Sequence, residues 1–196
     1  MEAIEHQISK SELRSLLMKQ RRSLLQQEWI QKSDRICQYL QNSSLFVEAN
    51  TVLSYFSFRK EPDLSGLFVV KDKHQNKKWG FPRCVHKSLS WHFWEPNQPL
   101  TTNKYGIPEP SVSATKVPLS QVDLIIVPCV ACDYRGYRLG YGGGYYDRLL
   151  SLPQWESIPT IGITFDFAYL TELSVEDWDK KLQVVCTETG FKINHE

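Results

Sequence analysis

Along this chain the spacing of apolar residues switches repeatedly between helical and extended periods. Leu13, Leu16, Leu17 and Leu24 form a stripe at helical spacing, and Ser9 with Glu12 has the spacing of a capping box. A helix is therefore predicted from Ser9 to about Leu25. Residues 28–42, with Ile36 and Leu40 on one face, predict a second amphipathic helix. Residues 51–58 (T-V-L-S-Y-F-S-F) are β-branched and aromatic, a strand that Pro62 brings to an end. Residues 64–70 begin a crossover helix and 78–83 form a short strand. In residues 88–94 Leu89, Trp91 and Phe93 alternate with polar positions, as in a half-exposed strand. Residues 122–130 (V-D-L-I-I-V-P-C-V) read as a strand buried on both faces. Tyr145, Tyr146, Leu149 and Leu150 return to helical spacing, and strands follow at 159–165 and 181–186. Strands alternating with helices predict a three-layer α/β/α fold: one domain over residues 1–196, a mostly parallel sheet, helices on both faces, and a site at the strand ends.

The stretch D-Y-R-G-Y-R-L-G-Y-G-G-G-Y-Y-D-R-L-L, residues 133–150, lies between the most apolar strand and a helix. Strand, glycine-rich loop and helix in that order are the usual setting for an anion, because glycine lets the backbone approach closely and amides at a helix start point outward. Gly140, Gly142 and Gly144 do not meet the dinucleotide pattern, whose third glycine would fall on Tyr145, and no Gly-Lys-Ser/Thr follows. Arg135 and Arg138 upstream, with Asp147 and Arg148 downstream, add cations and a carboxylate suited to Mg²⁺, the parts that phosphoryl chemistry requires.

Composition narrows the classes. The formal net charge is +1, with both signs scattered, so no nucleic-acid surface is expected. The start M-E-A-I-E-H-Q has neither a basic segment nor an apolar one, and the longest apolar run is about half a membrane span. Five cysteines make an odd count without a regular framework, which fits a reducing cytoplasm. Cys129 and Cys132 form one C-x-x-C with no second ligand pair, so they read as buried apolar side chains. His86 and His92 read as surface residues rather than ligands.

The string R-L-G-Y-G-G-G-Y-Y-D-R resembles the signature of the 5-formyltetrahydrofolate cyclo-ligase family. The resemblance extends from Lys10 to Glu188, although only the central loop is highly specific. It implies an enzyme acting on two small molecules, ATP and 5-formyltetrahydrofolate, with or without a polyglutamate tail. It further implies Mg²⁺ as cofactor, a cytoplasmic monomer, and neither nucleic acid nor membrane as partner. Lys10 and Arg14, one helical turn apart, match a lysine–arginine pair that reaches the ATP phosphates, and with Arg138 they are the expected catalytic cations. Leu139, Gly140, Tyr141, Gly142, Gly143, Gly144, Tyr145 and Tyr146 are expected around ATP. Phe56, Glu61, Tyr105 and residues Tyr141, Gly142, Gly143, Gly144 and Tyr145 are expected around the folate. The two acceptors of Glu61 suit the two N–H donors of an aminopyrimidinone edge. Asp147 and Asp179 are the expected metal ligands, with Asp177 a close competitor. Arg83 resembles the family's Pro-Arg, while Arg21 and Arg22 have no match and read as surface.

Two other classes remain to be weighed. A phosphosugar isomerase or acyl-CoA transferase relative would need no ATP. A nucleotide- or RNA-binding module built on Lys10, Arg14, Arg21 and Arg22 would show a steep salt dependence and no turnover.

Overall fold

A computed structural model describes residues 8–69 and 77–193. The N-terminal seven residues and Val70, the end of the expected crossover helix, lie outside them. In chain order the elements are α1 (Lys10–Ser23), α2 (Gln26–Gln41), α3 (Ser44–Glu48), β1 (Thr51–Leu53), α4 (Ser65–Val69), β2 (Lys78–Val85), β3 (Ser88–Phe93), β4 (Leu100–Thr102), β5 (Pro108–Pro110), β6 (Leu124–Pro128), β7 (Ala131–Asp133), β8 (Arg138–Leu139), α5 (Tyr145–Leu150), β9 (Thr160–Ile163), β10 (Tyr169–Leu170), β11 (Val184–Thr187) and β12 (Gly190–Ile193).

Seven strands make the main sheet in the order β12-β11-β9-β6-β1-β2-β3. The inner five run parallel, and β12 and β3 pair antiparallel at the two edges. The alternation of β6 shows how the layers form. Leu124 and Ile126 face a cluster with Ile36, Leu40, Leu64 and Leu67 from α2 to α4. Ile125 and Val127 face the opposite cluster with Leu149, Ile158 and Leu182. Successive side chains of a strand point to opposite faces, so a strand apolar throughout is covered on both sides. Among the described residues no helix is long and apolar enough to cross a membrane.

Strand β1 is shorter than the apolar run predicted. The chain leaves the sheet after Ser54, and Arg59 and Lys60 take left-handed φ values of 50° and 56°. Tyr55 donates its hydroxyl to the Pro62 carbonyl at 2.9 Å, and the Glu61 carboxylate accepts from the Phe58 amide at 3.0 Å. Residues 55–62 thus close on themselves at the carboxyl end of β1 rather than extending the ladder.

A second, three-stranded sheet in the order β10-β7-β8 was not legible from periodicity, because its strands have only two or three residues. Asp133, wholly buried, organises it. Its carboxylate accepts from the amides of Arg135, Tyr137 and Leu173 at 2.9–3.0 Å and from the Arg135 guanidinium at 2.7 and 2.9 Å. Arg135 also reaches Glu172 at 2.6 Å. It is therefore engaged in the fold, not in a phosphate site. Against this sheet α1 packs Leu17 and Met18, together with Val130, Leu139 and Leu173.

The Ser9–Glu12 capping box forms at the start of α1. The stripe on that helix is rotated from the one read in the sequence: Leu16 is 54% exposed, while Leu17, Met18 and Arg21 are buried. His92 is also buried, its ring bonded to the Ala114 carbonyl at 2.7 Å and to Ser90 at 3.0 Å, which corrects the surface expectation. Cys129 and Cys132 are buried free thiols, as expected.

Removing the Asp133 carboxylate takes the acceptor from three backbone amides, that of Leu173 fully buried, and from one side of the Arg135 guanidinium. Asp133→Ala is expected to cost about 3–5 kcal/mol, read as a lower urea midpoint at unchanged slope. A loss below about 1 kcal/mol would mean that the small sheet holds without it.

Candidate active site

The site is assembled by one face of α1. At 100° per residue, positions 10, 14, 17 and 21 fall within a narrow stripe, so Lys10, Arg14 and Arg21 project from the side that carries buried Leu17. Each cation finds a different partner from later in the chain. Lys10 Nζ donates to Asp179 Oδ2 at 2.6 Å. Arg14 Nε donates to the Gly140 carbonyl at 2.7 Å. Arg21 Nε donates to the Arg59 carbonyl at 3.1 Å, and its Nη2 donates to the Tyr141 hydroxyl.

The glycine loop follows β8 directly. Gly142 has φ +92° and a Cβ there would stand 3.7 Å from the Arg14 guanidinium; Gly144, the N-cap of α5, has φ +64°. Both are left-handed conformations that a β-carbon opposes. The amides of residues 140–144 donate to no acceptor among the described residues. Arg138, buried, clamps Asp147 with Nη1 and Nη2 at 2.9 and 2.8 Å, both on Oδ1. Its Nε is enclosed without a partner among the described residues, as is the Tyr146 hydroxyl, whose burial pushes its ionisation far up. Arg148 turns back to the Lys87 and Gly143 carbonyls at 2.6 and 2.7 Å and so braces the loop.

Beside the loop lies the pocket of Glu61, which is 3% exposed. Desolvation raises its carboxyl from the usual 4.5 to about 7, against the Arg21 charge and the Tyr141 and Phe58 hydrogen bonds, which pull it down. At the outer rim, Tyr105 and Tyr145 meet edge to face at 6.5 Å with their hydroxyls 3.3 Å apart, and the Tyr145 hydroxyl donates to the His86 carbonyl at 3.2 Å. Tyr105 is 45% exposed, an open aromatic surface. Phe56 is half-buried and stacks on Phe81 at 4.0 Å, with Trp94 edge-on. Arg83 is tied to Glu109 and the Pro110 carbonyl, a role in holding β5 to β2.

The structure thus brings Lys10, Arg14, the loop, Arg138, Asp147 and Asp179 into one connected set. Asp179 is half-buried and reaches the set through Lys10, whereas Asp177 is exposed two residues away. Arg21 is the residue missed. It read as surface because it matched no motif, but it is 3% exposed. The signal was its helical spacing from Lys10 and Arg14.

Among the described residues no three His, Cys, Asp or Glu side chains form a metal cage. Magnesium does not need one, since it commonly takes one or two carboxylates with phosphate oxygens and water. The donor set fits that use. Protein donors occupy Oδ1 of Asp147 and Oδ2 of Asp179, leaving a hard oxygen on each without a donor among the described residues.

Comparison with known proteins agrees with this arrangement. A family model described as the 5-formyltetrahydrofolate cyclo-ligase family matches residues 6–188. The 5-formyltetrahydrofolate cyclo-ligases of Haemophilus influenzae and Escherichia coli K12 are each 30% identical, over 88% of this chain and 94% and 96% of their own length. The NMR structure of Aquifex aeolicus 5,10-methenyltetrahydrofolate synthetase superposes with a TM-score of 0.82 at 31% identity, covering 96% of this chain and 94% of that one. With a match spanning the capping box, the glycine loop and the acid at position 179, this chain belongs to the 5-formyltetrahydrofolate cyclo-ligase family.

Proposed function

We propose that this enzyme converts 5-formyltetrahydrofolate to 5,10-methenyltetrahydrofolate with hydrolysis of ATP to ADP and phosphate. The observation that carries the reading is the run of five loop amides that meet no acceptor among the described residues, flanked by Lys10, Arg14 and Arg138. Free amides around the left-handed Gly142 and Gly144, beside several cations, suit a polyanion such as a triphosphate.

A formamide oxygen is a poor leaving group until it is phosphorylated. In the proposed course the formyl oxygen attacks the γ-phosphorus and the bond to the bridging β–γ oxygen breaks, releasing ADP. The N10 lone pair then adds to the activated formyl carbon. Loss of the N10 proton and departure of phosphate with the former formyl oxygen leave the methenyl bridge. No protein nucleophile is required, so the protein's work is alignment and charge.

Lys10, Arg14 and Arg138 neutralise the triphosphate as charge moves toward its end, and the backbone from Leu139 to Tyr146 cradles it. Asp147 and Asp179 would hold Mg²⁺, which on binding offsets phosphate charge. Glu61 accepts from the aminopyrimidinone edge, and Phe56, Tyr105 and Tyr145 line the pterin path, where ring stacking adds about 0.5–1.5 kcal/mol beyond burial. Tyr141 stands between the two substrates. The protein acts as a monomer formed by a single domain.

Conversion should be visible as near-ultraviolet absorbance of the methenyl product, and only with both ATP and Mg²⁺ present. Arg138→Ala and Asp147→Ala are each expected to lower kcat about 10²–10³-fold while the circular dichroism spectrum holds. Full activity in either variant would place the triphosphate elsewhere. Glu61→Ala is expected to raise the folate KM about 10-fold or more and leave the ATP KM alone. An unchanged folate KM would remove Glu61 from the site.

A further inference from the structure

Arg21 sits where neither the motif nor the proposed chemistry asks for a cation. An arginine 3% exposed on a helix of this length requires a reason, since burial of an ion is costly unless it is paired. Two of its three nitrogens are fixed: Nε by the Arg59 carbonyl, in the turn that carries Glu61, and Nη2 by the Tyr141 hydroxyl, in the nucleotide loop. The guanidinium carbon lies 5.4 Å from the centre of the Tyr141 ring. The third nitrogen, Nη1, is enclosed with no hydrogen-bond partner among the described residues. No fold requirement explains an arginine left with a buried donor at the junction of two substrate subsites.

We infer that Arg21 is a positioning residue of the folate subsite, whose guanidinium bridges the turn that carries the buried Glu61 to Tyr141 of the nucleotide loop and so holds the two subsites in register. The inference rests on the assignment of Glu61 to the folate given above. The groups that act on Glu61 come from four elements. Arg21 comes from α1, Tyr141 from the loop, Tyr55 from the segment after β1, and Tyr146 from α5, with the Phe58 amide on the carboxylate itself. Tyr55 and Tyr146 are buried phenols whose ionisation is pushed up, so they stay neutral. Arg21 supplies the positive charge. Tyr141 relays it, accepting from Nη2 on one side and lowering the Glu61 carboxyl by its hydroxyl on the other.

The chemistry gives this arrangement a consequence. An ionised carboxylate offers two acceptors to the N–H groups of the pterin edge, whereas a protonated one turns an O–H against them. Glu61 stands near the middle of its titration at neutral pH even with Arg21 beside it. Losing the Arg21 charge would raise it further, so that the protonated form would dominate and folate would bind weakly at neutral pH. Raising the pH would then recover the acceptor.

The test is equilibrium binding of 5-formyltetrahydrofolate to the full chain, followed by tyrosine and tryptophan fluorescence from about pH 6 to about pH 10, with ATP KM measured in parallel. For the wild type, affinity should weaken as pH falls through about 7. Arg21→Met is expected to move that limb alkaline by about one pH unit or more, with folate affinity at neutral pH down about tenfold and largely regained at high pH. Arg21→Lys, which keeps the charge, should hold the limb near its original place. Tyr141→Phe should move it in the same direction as Arg21→Met but by less. Should Arg21→Met fail to fold, the contrast between Arg21→Lys and Tyr141→Phe decides the question. A limb unmoved in Arg21→Met, or in Tyr141→Phe where that variant alone folds, would overturn the inference, as would affinity lost equally at every pH. Glu61→Gln separates the two readings. If it leaves folate affinity and the limb intact, the assignment of Glu61 to folate fails; if it abolishes both while Arg21→Met moves nothing, only the role of Arg21 falls.

Discussion

The hydrogen bond from Arg14 to the Gly140 carbonyl is the contact on which this architecture turns. It fixes the first helix of the chain against a loop 126 residues later, and it does so at the point where the chain leaves β8. Once that contact holds, the helical repeat sets the remainder. Lys10 lies one turn before Arg14 and meets Asp179; Arg21 lies two turns after it and meets Tyr141 and the turn of Glu61. Three segments distant in sequence are therefore brought together by one rigid element, which is how a site keeps its geometry.

Gathering cations around a loop has an energetic cost, and the structure offsets it locally. Each basic side chain of the set is matched by a carboxylate, a carbonyl or a hydroxyl: Lys10 by Asp179, Arg14 by Gly140, Arg138 by Asp147. Among the described residues five buried side-chain polar atoms lack a partner, and two of them, Ser54 Oγ and Trp91 Nε1, lie in the packed interior. Arg21 Nη1, Arg138 Nε and the Tyr146 hydroxyl are enclosed near the same loop, and the Glu61 carboxyl is held far from its ordinary titration range. Buried polar atoms without partners commonly cost about 1–3 kcal/mol each. Three of the five, together with the shifted Glu61 carboxyl, mark this region as one that stability alone would not have produced.

The layers of the fold were legible because burial on both faces leaves an unmistakable imprint. Residues 124–128 are buried at every position but the last, and the two faces of β6 do enter different clusters. Elements of two or three residues leave no such imprint, so β7, β8 and β10 went unseen although they carry the loop. The stripe on α1 was misplaced for a related reason. Leu16 is apolar and exposed while Arg21 is charged and buried, and hydropathy alone assigns both to the wrong side. His92 escaped similarly, because its burial depends on the Ala114 carbonyl reached across a neighbouring segment.

What the amino-acid order determined by itself was local: the capping box of α1, the glycines where left-handed backbone was needed, the buried strands, and the loop string that resembles one family. Those follow from short-range sterics and hydrogen bonding, which neighbouring residues dictate. Only the tertiary structure shows that Lys10 pairs with Asp179, that Arg135 serves Asp133, and that Arg21 bonds the turn that carries Glu61. Each of these depends on which distant segment a long side chain meets. That is fixed by how α1 and the two sheets pack; spacing along α1 gives the shared face but not the partner each side chain meets there.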